Sequence, residues 1–413
     1  MSRSANAGDR TIIHLCIFTG AYWCALLIAL LLWGHITQGE PYYWPLHTKP
    51  SFVSHLATFD GYFYLDISER GYRAGERVCA FYPLWPSLIR GVARLLRADS
   101  LVVALALANL LGLLGWSLFY CTVKDRYGSR VASWAVWSLA LYPGAIFYHF
   151  AYSESLFLLL LMGVWRGIER RSYGLAAASA FLLPLTRPVG VFCVIPVILS
   201  CFAKFNLRGI HLRFVPSTGS QCAGSNSEDK SDGHTDETRF CVPFFQQPHW
   251  GRYACLLIAI PAGWSCYFLI MSIATNNPLE GFAAQRFWGV NSTGNIFDLH
   301  KFCVALFHPT AWHAYSGSML DRLMFIIVAL SVAELWRRDK SLIGWVIALA
   351  LLPALSATFT SFTRYSSVAF PVFVAVAFHL AEARWLARFA VLLTAGSVHA
   401  VLLWRYVHSL WAG

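Results

Sequence analysis

Charged residues are what this sequence has least of. Only 13% of its 413 residues are Asp, Glu, Lys or Arg, whereas 57% are hydrophobic and 16% are aromatic. An average soluble domain carries about 25% charged residues. So few charges cannot cover an ordinary globular surface, and they indicate a chain solvated mostly by lipid. The net charge of +11 lies in short basic clusters between apolar runs. This is the pattern of membrane loops, and it does not predict a nucleic-acid partner.

The sequence also lacks the spacings that mark several kinds of site. Most of its 11 cysteines lie inside apolar runs, without a Cys-x-x-Cys pair or a Cys/His zinc spacing. No Gly-rich phosphate-binding loop is present. The first apolar run, Thr11 to Trp33, is too long for a signal peptide and is not followed by a cleavage site. We therefore predict no disulfide framework, no metal site and no cofactor.

Apolar runs of membrane-spanning length recur along the chain. A helix of about 20 residues crosses the bilayer core, and an excess of Lys and Arg marks its cytoplasmic end. These rules predict an all-α polytopic membrane protein, a single integral membrane domain over residues 1–413 with a cytoplasmic N-terminus. Its eleven predicted spans are 12–34, 100–122, 130–149, 153–167, two within 174–203, 253–274, 319–336, 341–360, 366–382 and 387–408.

Three long connections separate the predicted spans. Residues 35–98 form an outer loop, and their dense aromatic side chains suit helices that lie at the membrane interface. Residues 204–251 form a cytoplasmic loop, whose middle has the polar composition of a disordered segment. Residues 275–317 form a second outer loop.

The run 174–203 has Arg187 near its middle and allows two interpretations. One tilted helix would hold Arg187 deep in the membrane at a cost of about 2.5–3.5 kcal/mol. Pro184 and Pro188 would also break that helix. A hairpin of two short helices would instead place Arg187 at the outer turn and return both basic flanks to the cytoplasm. We favour the hairpin.

This topology gathers the unusual polar side chains on the outer face. They are Asp60, Asp66 and Glu69 in the first outer loop, Ser153 and Glu154 at a span entrance, Arg187 at the hairpin tip, Gln285 and Trp288 in the second outer loop, and Arg364 and Tyr365 at the outer end of a later hairpin. Such a set suits a charged, lipid-linked substrate. For each residue the alternative is an interfacial anchor or a snorkelling side chain. For the whole set a function is favoured, because ionisable groups near the membrane interior are costly.

The densest part of this set lies in residues 59–72, followed by an aromatic and proline-rich block at 79–86. Asp60 stands where a short helix would begin, so it is either a helix cap or a functional acid. Gly71 and Tyr72 would end that helix. The sequence alone leaves both roles of Asp60 open.

These segments resemble the PIG-V family, the GPI mannosyltransferase 2 proteins and their prokaryotic relatives. After the first span the family carries a Trp-Asp segment, an Ala-Glu-His-Gly-Tyr-like run and a Phe-Phe-Pro-x-x-Pro-like block, in this order. The counterparts here are Phe59-Asp60, Ser68-Glu69-Arg70-Gly71-Tyr72 and Phe81-Tyr82-Pro83-Leu84-Trp85-Pro86, with Phe59 replacing the Trp and Arg70 replacing the His. Ser153-Glu154 and Arg187 also match, and Arg364-Tyr365 matches more weakly.

The resemblance implies a GT-C-type bundle of about 11 transmembrane helices and a mannosyltransferase. The donor would be dolichyl- or polyprenyl-phosphate mannose, the acceptor a glycolipid similar to a GPI precursor, and the side luminal or periplasmic. Asp60 would be the catalytic base. The expected substrate-binding residues are Glu69, Tyr72, Ser153, Glu154, Arg187, Gln285, Trp288, Arg364 and Tyr365, with the two arginines on the lipid phosphate.

The same resemblance sets the expected partners and location. The partners are the two lipid substrates, membrane lipids and, as a further expectation, a small membrane partner subunit. The membrane would be the endoplasmic reticulum in a eukaryote and the inner membrane in a prokaryote. Two alternatives belong to other classes: a transporter or flippase of a lipid-linked sugar, which should show internal repeats, and a non-enzymatic scaffold.

Overall fold

The computed structural model describes residues 2–33, 43–45, 51–201, 250–288 and 292–413, and within these ranges it contains no β-strand. Its α-helices are α1 (Ser2–Trp33), α2 (Asp60–Arg70), α3 (Leu84–Leu96), α4 (Ser100–Tyr127), α5 (Ser129–Ala140), α6 (Glu154–Glu169), α7 (Tyr173–Thr186), α8 (194–201), α9 (Trp250–Thr275), α10 (Glu280–Ala283), α11 (Ser292–Phe297), α12 (Leu299–Phe307), α13 (Met319–Arg338), α14 (Ile343–Val346), α15 (Leu352–Ala357), α16 (Phe362–Tyr365), α17 (Phe370–Glu382) and α18 (Trp385–Val407). Short 3-10 turns cover Phe52–Leu56, Arg77–Ala80, Pro143–Tyr148, Pro188–Cys193, Ala284–Trp288, Lys340–Leu342 and Ser366–Val368, and a π-helical turn covers Ile347–Leu351. The all-α prediction is confirmed. Nearly all of the predicted cytoplasmic loop, 204–251, lies outside the described residues.

Four described helices are long and apolar enough to cross a membrane: Arg10–Ile28 within α1, Ser100–Tyr127, Tyr253–Thr275 and Trp385–Val407. Phe362–Val368 and Phe370–Glu382 pass the same test only as a pair, with a bend of 80° between them. Several other predicted spans correspond to helices that are too short, such as α5 with 12 residues and α6 with 16. A bilayer core requires about 20 residues. The predicted count of about eleven is therefore not confirmed.

The apolar run 174–203 is broken at Arg187. α7 ends at Thr186, Arg187 has an extended backbone with φ −156° and ψ 148°, and Pro188 opens the next turn. Proline disfavours helical conformation in the residue before it, which explains the break. The alternative of one continuous helix is therefore wrong. The side chain of Arg187 lies inside the protein, where it is buried.

The helix α6 lies at the centre of the packing. It contacts both α4 and α7, while α9 packs on α7 and α17 packs on α5. The indole of Trp165 in α6 stacks on Phe370 of α17, with 4.5 Å between the ring centroids. The neighbouring helices bury most residues of α6, and its first residue, Glu154, is among the buried ones.

The predicted first outer loop, residues 35–98, contains the two helices α2 and α3. Residues 61–68 of α2 are all buried, so α2 packs inside the protein rather than on its surface. α3 buries Ile89 and Ala93 and exposes Leu95 and Leu96. An apolar outer face of this kind is typical of an interfacial helix, so α3 fits the predicted type of element and α2 does not.

Candidate functional site

Asp60 is the first residue of α2 and does not cap it. The cap position belongs to Phe59, which has φ +51°, and no side chain caps the helix there. The helix-cap alternative for Asp60 is therefore wrong. The N-terminus of α2 is held close to its neighbours, because a Cβ on Gly61 would stand 3.3 Å from the ring of Tyr152. The carboxylate of Asp60 is directed at Arg364 and accepts a hydrogen bond from its Nη1 through Oδ2.

Arg364 joins two carboxylates that come from distant parts of the chain. Its Nη1 donates to Asp60 in α2, and its Nε donates to Glu154 in α6. The guanidinium carbon also lies 4.5 Å from the ring centroid of Tyr152 and 5.1 Å from that of Phe147. Aromatic faces attract a guanidinium electrostatically. The planar fork of arginine suits two acceptors at once, and Arg364 is used here in that way.

Glu154 connects this pair to the second arginine. Its side chain is fully buried, and Oε1 lies 2.5 Å from Nη1 of Arg187. Within the described residues Oε2 has no hydrogen-bond partner. Arg187 also lies over the ring of Tyr365, at 5.1 Å. Asp60, Arg364, Glu154 and Arg187 thus form a row of alternating charges with no net charge, and this balance is what permits their burial. We call these four residues the charge row.

Asp60 is the accessible end of the charge row. Its side chain is 24% exposed, whereas those of the other three are between 0% and 7% exposed. A small cleft opens beside it, lined by Phe59, Asp60, Phe147, Tyr152, Arg364, Trp411, Ala412 and Gly413. Among the described residues, Oδ1 of Asp60 has no hydrogen-bond partner. A molecule that enters the cleft therefore meets a free carboxylate oxygen next to a guanidinium.

The structure brings Ser153, Glu154, Arg187, Arg364 and Tyr365 to one place, as predicted from their assignment to one face. Ser153 adds a hydrogen bond of 3.0 Å between its Oγ and the hydroxyl of Tyr64, a residue of α2.

Tyr72 has a structural role in the loop that follows α2. Its hydroxyl donates to the carbonyl of Phe81 at 2.8 Å and so joins the two motif segments, 59–72 and 79–86.

Three other predicted residues lie elsewhere. Glu69 is exposed at the far end of α2, about 14 Å of helix away from Asp60. Gln285 and Trp288 lie in a 3-10 turn of the second outer loop. The Trp288 ring packs edge-on against Phe63 of α2, at 5.2 Å between centroids, rather than against the charge row.

A second set of charges, not predicted from the sequence, fixes the loop after α2. Asp66 is buried, and Arg73 Nη2 pairs with it at 2.7 Å and with Glu76 at 2.7 Å. The hydrogen bond from Arg73 lowers the pKa of the Glu76 carboxyl. The backbone N–H of Gly75 donates to Glu280 at 2.7 Å. This last bond joins the two predicted outer loops, so they lie against each other.

Sequence reasoning missed the aromatic and C-terminal walls of the cleft. Tyr152 and Phe147 lie in an apolar, aromatic stretch and have no sequence signal that separates them from core residues. Trp411 belongs to a tail that follows the last helix. Within the described residues no group of three or more His, Cys, Asp or Glu side chains is placed to hold a metal ion.

Comparison with known families confirms part of the resemblance. A family model described as Mannosyltransferase (PIG-V) matches residues 48–213, which include Asp60, Glu154 and Arg187 but end before Arg364. The similarity to PIG-V proteins is thus confirmed over less than half of the chain, and it supports glycosyl transfer by a membrane protein. No curated protein matches the chain in sequence.

Solved structures similar to this chain include two of an archaeal enzyme. One is the oligosaccharyltransferase AglB from Archaeoglobus fulgidus in complex with an inhibitory peptide and a dolichol-phosphate, with 12% identity and a TM-score of 0.45 over 97% of this chain and 56% of that chain. The other is the Archaeoglobus fulgidus oligosaccharyltransferase in complex with Zn and sulfate, with 14% identity and a TM-score of 0.44 over 94% and 53%. The present chain spans about half the length of these proteins, 56% and 53%.

Proposed function

We propose that this protein transfers a mannosyl residue from a dolichyl- or polyprenyl-phosphate carrier to a glycolipid acceptor similar to a GPI precursor. One observation carries the proposal: a partly exposed carboxylate, Asp60, opens to a cleft and is directly bound to Arg364 of a buried, charge-balanced row. The reaction needs a base for the acceptor hydroxyl and a positive charge for the leaving phosphate. A carboxylate beside a guanidinium can supply both.

Asp60 is the general base in this reaction. Its free Oδ1 takes the proton of an acceptor hydroxyl as the hydroxyl oxygen attacks the anomeric carbon of the donor sugar. The bond between that carbon and the phosphate oxygen breaks, and the electron pair leaves with the lipid phosphate. A well-placed general base contributes typically about 10²–10⁴-fold to the rate. Because a phosphate is already a good leaving group, the reaction does not require a strong acid on the donor side.

Arg187 and Arg364 supply the positive charge for the leaving phosphate. A guanidinium binds phosphate oxygens with two parallel hydrogen bonds, so it fixes the orientation of the donor as well as its charge. Glu154 accepts a hydrogen bond from Arg364 and forms an ion pair with Arg187. It thereby holds the two guanidinium groups beside each other despite their repulsion. We assign Glu154 to positioning the phosphate ligands rather than to proton transfer.

The remaining expectations are part of the same proposal. Ser153, Tyr72 and Tyr365 shape the substrate site, while Glu69, Gln285 and Trp288 would contact the acceptor only at a distance from the reacting atoms. The bundle is of the GT-C type, and the cleft faces the lumen of the endoplasmic reticulum or the periplasmic side of an inner membrane. The comparisons do not support a small membrane partner subunit.

Transfer with purified protein tests the proposal. Wild type and Asp60→Asn are supplied with polyprenyl-phosphate mannose and an acceptor glycolipid, and the mannosylated product is quantified. Asn keeps the shape of the side chain but cannot take a proton, so we expect the rate to fall by about 10²–10⁴-fold. The matched control is Glu76→Gln, which removes one negative charge from the same outer loop at a side chain that is 48% exposed.

Each result separates the alternatives. Full activity of Asp60→Asn would contradict its role as base. A wild type that moves a lipid-linked sugar across vesicles without forming a new glycosidic bond would identify a transporter or flippase. A wild type that neither transfers nor moves any lipid-linked sugar would leave the scaffold as the better description.

A further inference from the structure

Asp321 is a buried acid outside the charge row. It lies in the first turn of α13, and its side chain is inaccessible to solvent. Its Oδ1 accepts two hydrogen bonds of 2.6 Å from one residue, the backbone N–H and the hydroxyl of Thr363. Both bonds span 42 positions of the chain. The residue after Thr363 is Arg364, whose guanidinium binds Asp60 and Glu154.

The surroundings of Asp321 give its carboxylate no other hydrogen bond in the described part of the chain. The neighbouring guanidinium of Arg322 donates instead to the carbonyls of Ala305 and Ser318, both at 2.6 Å. The ring of His313 stays 3.9 Å from Oδ2, which has no hydrogen-bond partner. A buried carboxylate is costly unless it is paired or hydrogen-bonded. Both hydrogen bonds to the Asp321 carboxylate come from one short segment, residues 362–365.

That segment needs to be held, because the backbone before it is strained. Thr358, Phe359 and Ser361 have φ of 50°, 67° and 57°, in the left-handed region that side chains other than glycine rarely adopt. Such residues persist only where the surrounding structure fixes them, and they cluster at functional sites. The turn also supplies Thr363 N–H, which Asp321 binds.

The opposite side of the segment is held by backbone contact. A Cβ added to Gly144 would stand 2.2 Å from the carbonyl oxygen of Thr363 and 3.1 Å from Cα of Arg364. Only a glycine permits this approach of the Pro143–Tyr148 turn. Thr363 is therefore fixed between a hydrogen-bonding carboxylate on one side and a close-packed backbone on the other.

We propose that Asp321 and Thr363 are positioning residues that fix where the guanidinium of Arg364 meets the donor phosphate. This inference rests on the proposed function. Neither residue contacts the reacting atoms. A misplacement of about 1 Å in a positioning group lowers a rate by about 10²-fold, and a loosened 362–365 segment would move Arg364 by such an amount.

A pair of substitutions at Thr363 isolates one hydrogen bond. Thr363→Val keeps the branched shape and removes the hydroxyl, whereas Thr363→Ser keeps the hydroxyl and removes a methyl group. We expect Thr363→Val to lower kcat/KM for polyprenyl-phosphate mannose by about 10–100-fold, with the KM for the acceptor glycolipid unchanged. Thr363→Ser should stay within about threefold of wild type. Equal losses in both variants would overturn the proposal, because they would follow the methyl group and not the hydroxyl.

A double-mutant cycle separates positioning from a general loss of stability. The affinity for polyprenyl phosphate without sugar is measured for wild type, Thr363→Val, Arg364→Gln and the double variant. If Thr363 acts through Arg364, its substitution has no further effect in the Arg364→Gln background. Additive losses would overturn the proposal. Asp321→Ala should behave as Thr363→Val does, and Asp321→Asn, which keeps an accepting oxygen, should be milder.

The behaviour of the wild type distinguishes a failure of this inference from a failure of the proposed function. A wild type that neither binds polyprenyl phosphate nor transfers mannose contradicts the proposed function. A wild type that does both, with a cycle in which the two substitutions act independently, contradicts only the positioning role of Asp321 and Thr363.

Discussion

Arg364 and Asp60 form an ion pair although they stand 304 positions apart in the chain. Arg364 lies in α16, at the start of the bent pair of helices, and Asp60 is the first residue of α2. Their contact closes the charge row onto the cleft. Because a guanidinium has several donors in one plane, Arg364 can hold Asp60 and Glu154 and still present N–H groups to a phosphate.

Replacement of Arg364 by lysine should impair donor use. A single ammonium group cannot serve two carboxylates with the fixed geometry of a guanidinium. We expect kcat/KM for the lipid-phosphate sugar to fall by about 10²-fold in Arg364→Lys, measured by initial rates of transfer. The matched control is Arg338→Lys. Arg338 is the last residue of α13 and forms an exposed ion pair with Glu382, so this variant should keep wild-type rates. Unchanged donor kinetics in Arg364→Lys would contradict the assignment.

Removal of both members of the Glu154–Arg187 pair should cost less stability than the sum of the two single removals. Breaking a buried ion pair by deleting one partner costs about 3–5 kcal/mol, because the other charge stays buried and unpaired. We expect Glu154→Gln and Arg187→Gln each to lower the free energy of unfolding by that amount, and the double variant to lose clearly less than the sum. Chemical denaturation in detergent micelles measures all four proteins. Strict additivity would show that the pair does not act as a unit.

Gly144→Ala should displace the segment that carries Arg364. The added methyl group would meet the carbonyl oxygen of Thr363 at 2.2 Å, so one backbone must move. We expect a loss of about 1–3 kcal/mol of stability together with weaker donor binding. Gly174→Ala in α7, where nothing lies within 4 Å of the added carbon, is the control and should be neutral or slightly stabilising. Thermal unfolding and donor titration of the two variants measure the difference.

The predicted side of the long polar loop can be tested independently of activity. The charge bias places residues 204–251 in the cytoplasm, and Cys222 and Cys241 lie in that segment. A membrane-impermeant maleimide should label these two cysteines in inside-out vesicles and leave them unlabelled in right-side-out vesicles. The double variant Cys222→Ser/Cys241→Ser gives the background from the exposed cysteines of the helices. The reverse labelling pattern would invert the topology and place the cleft on the cytoplasmic side.

The sequence by itself determined the class of the protein and the composition of its candidate site. Low charge, long apolar runs and basic clusters predict a helical membrane protein, because lipid forces the backbone to satisfy its own hydrogen bonds. Pro188 after Arg187 predicts the helix break, since that effect is local. The motif around Asp60 resembles the PIG-V family, and the match to residues 48–213 confirms that similarity over this part of the chain. The prediction that Asp60, Glu154, Arg187 and Arg364 share one face followed from the apolar runs together with the charge bias.

Only the tertiary structure decided how those side chains pair and which of them is accessible. The number of helices long enough to span depends on where each apolar run bends. Near 358–362 the backbone adopts left-handed conformations beside a segment that contacts Asp321 and Gly144, two residues far away in the sequence. The sequence left Asp60 either as a helix cap or as a functional acid, and the structure places Phe59 at the cap position and Arg364, 304 positions away, on the Asp60 carboxylate. Glu69 and Asp66 are equally acidic in sequence, yet burial beside Arg73 makes Asp66 a scaffold residue. Ion pairs between distant segments depend on three-dimensional distance, which composition and spacing do not encode.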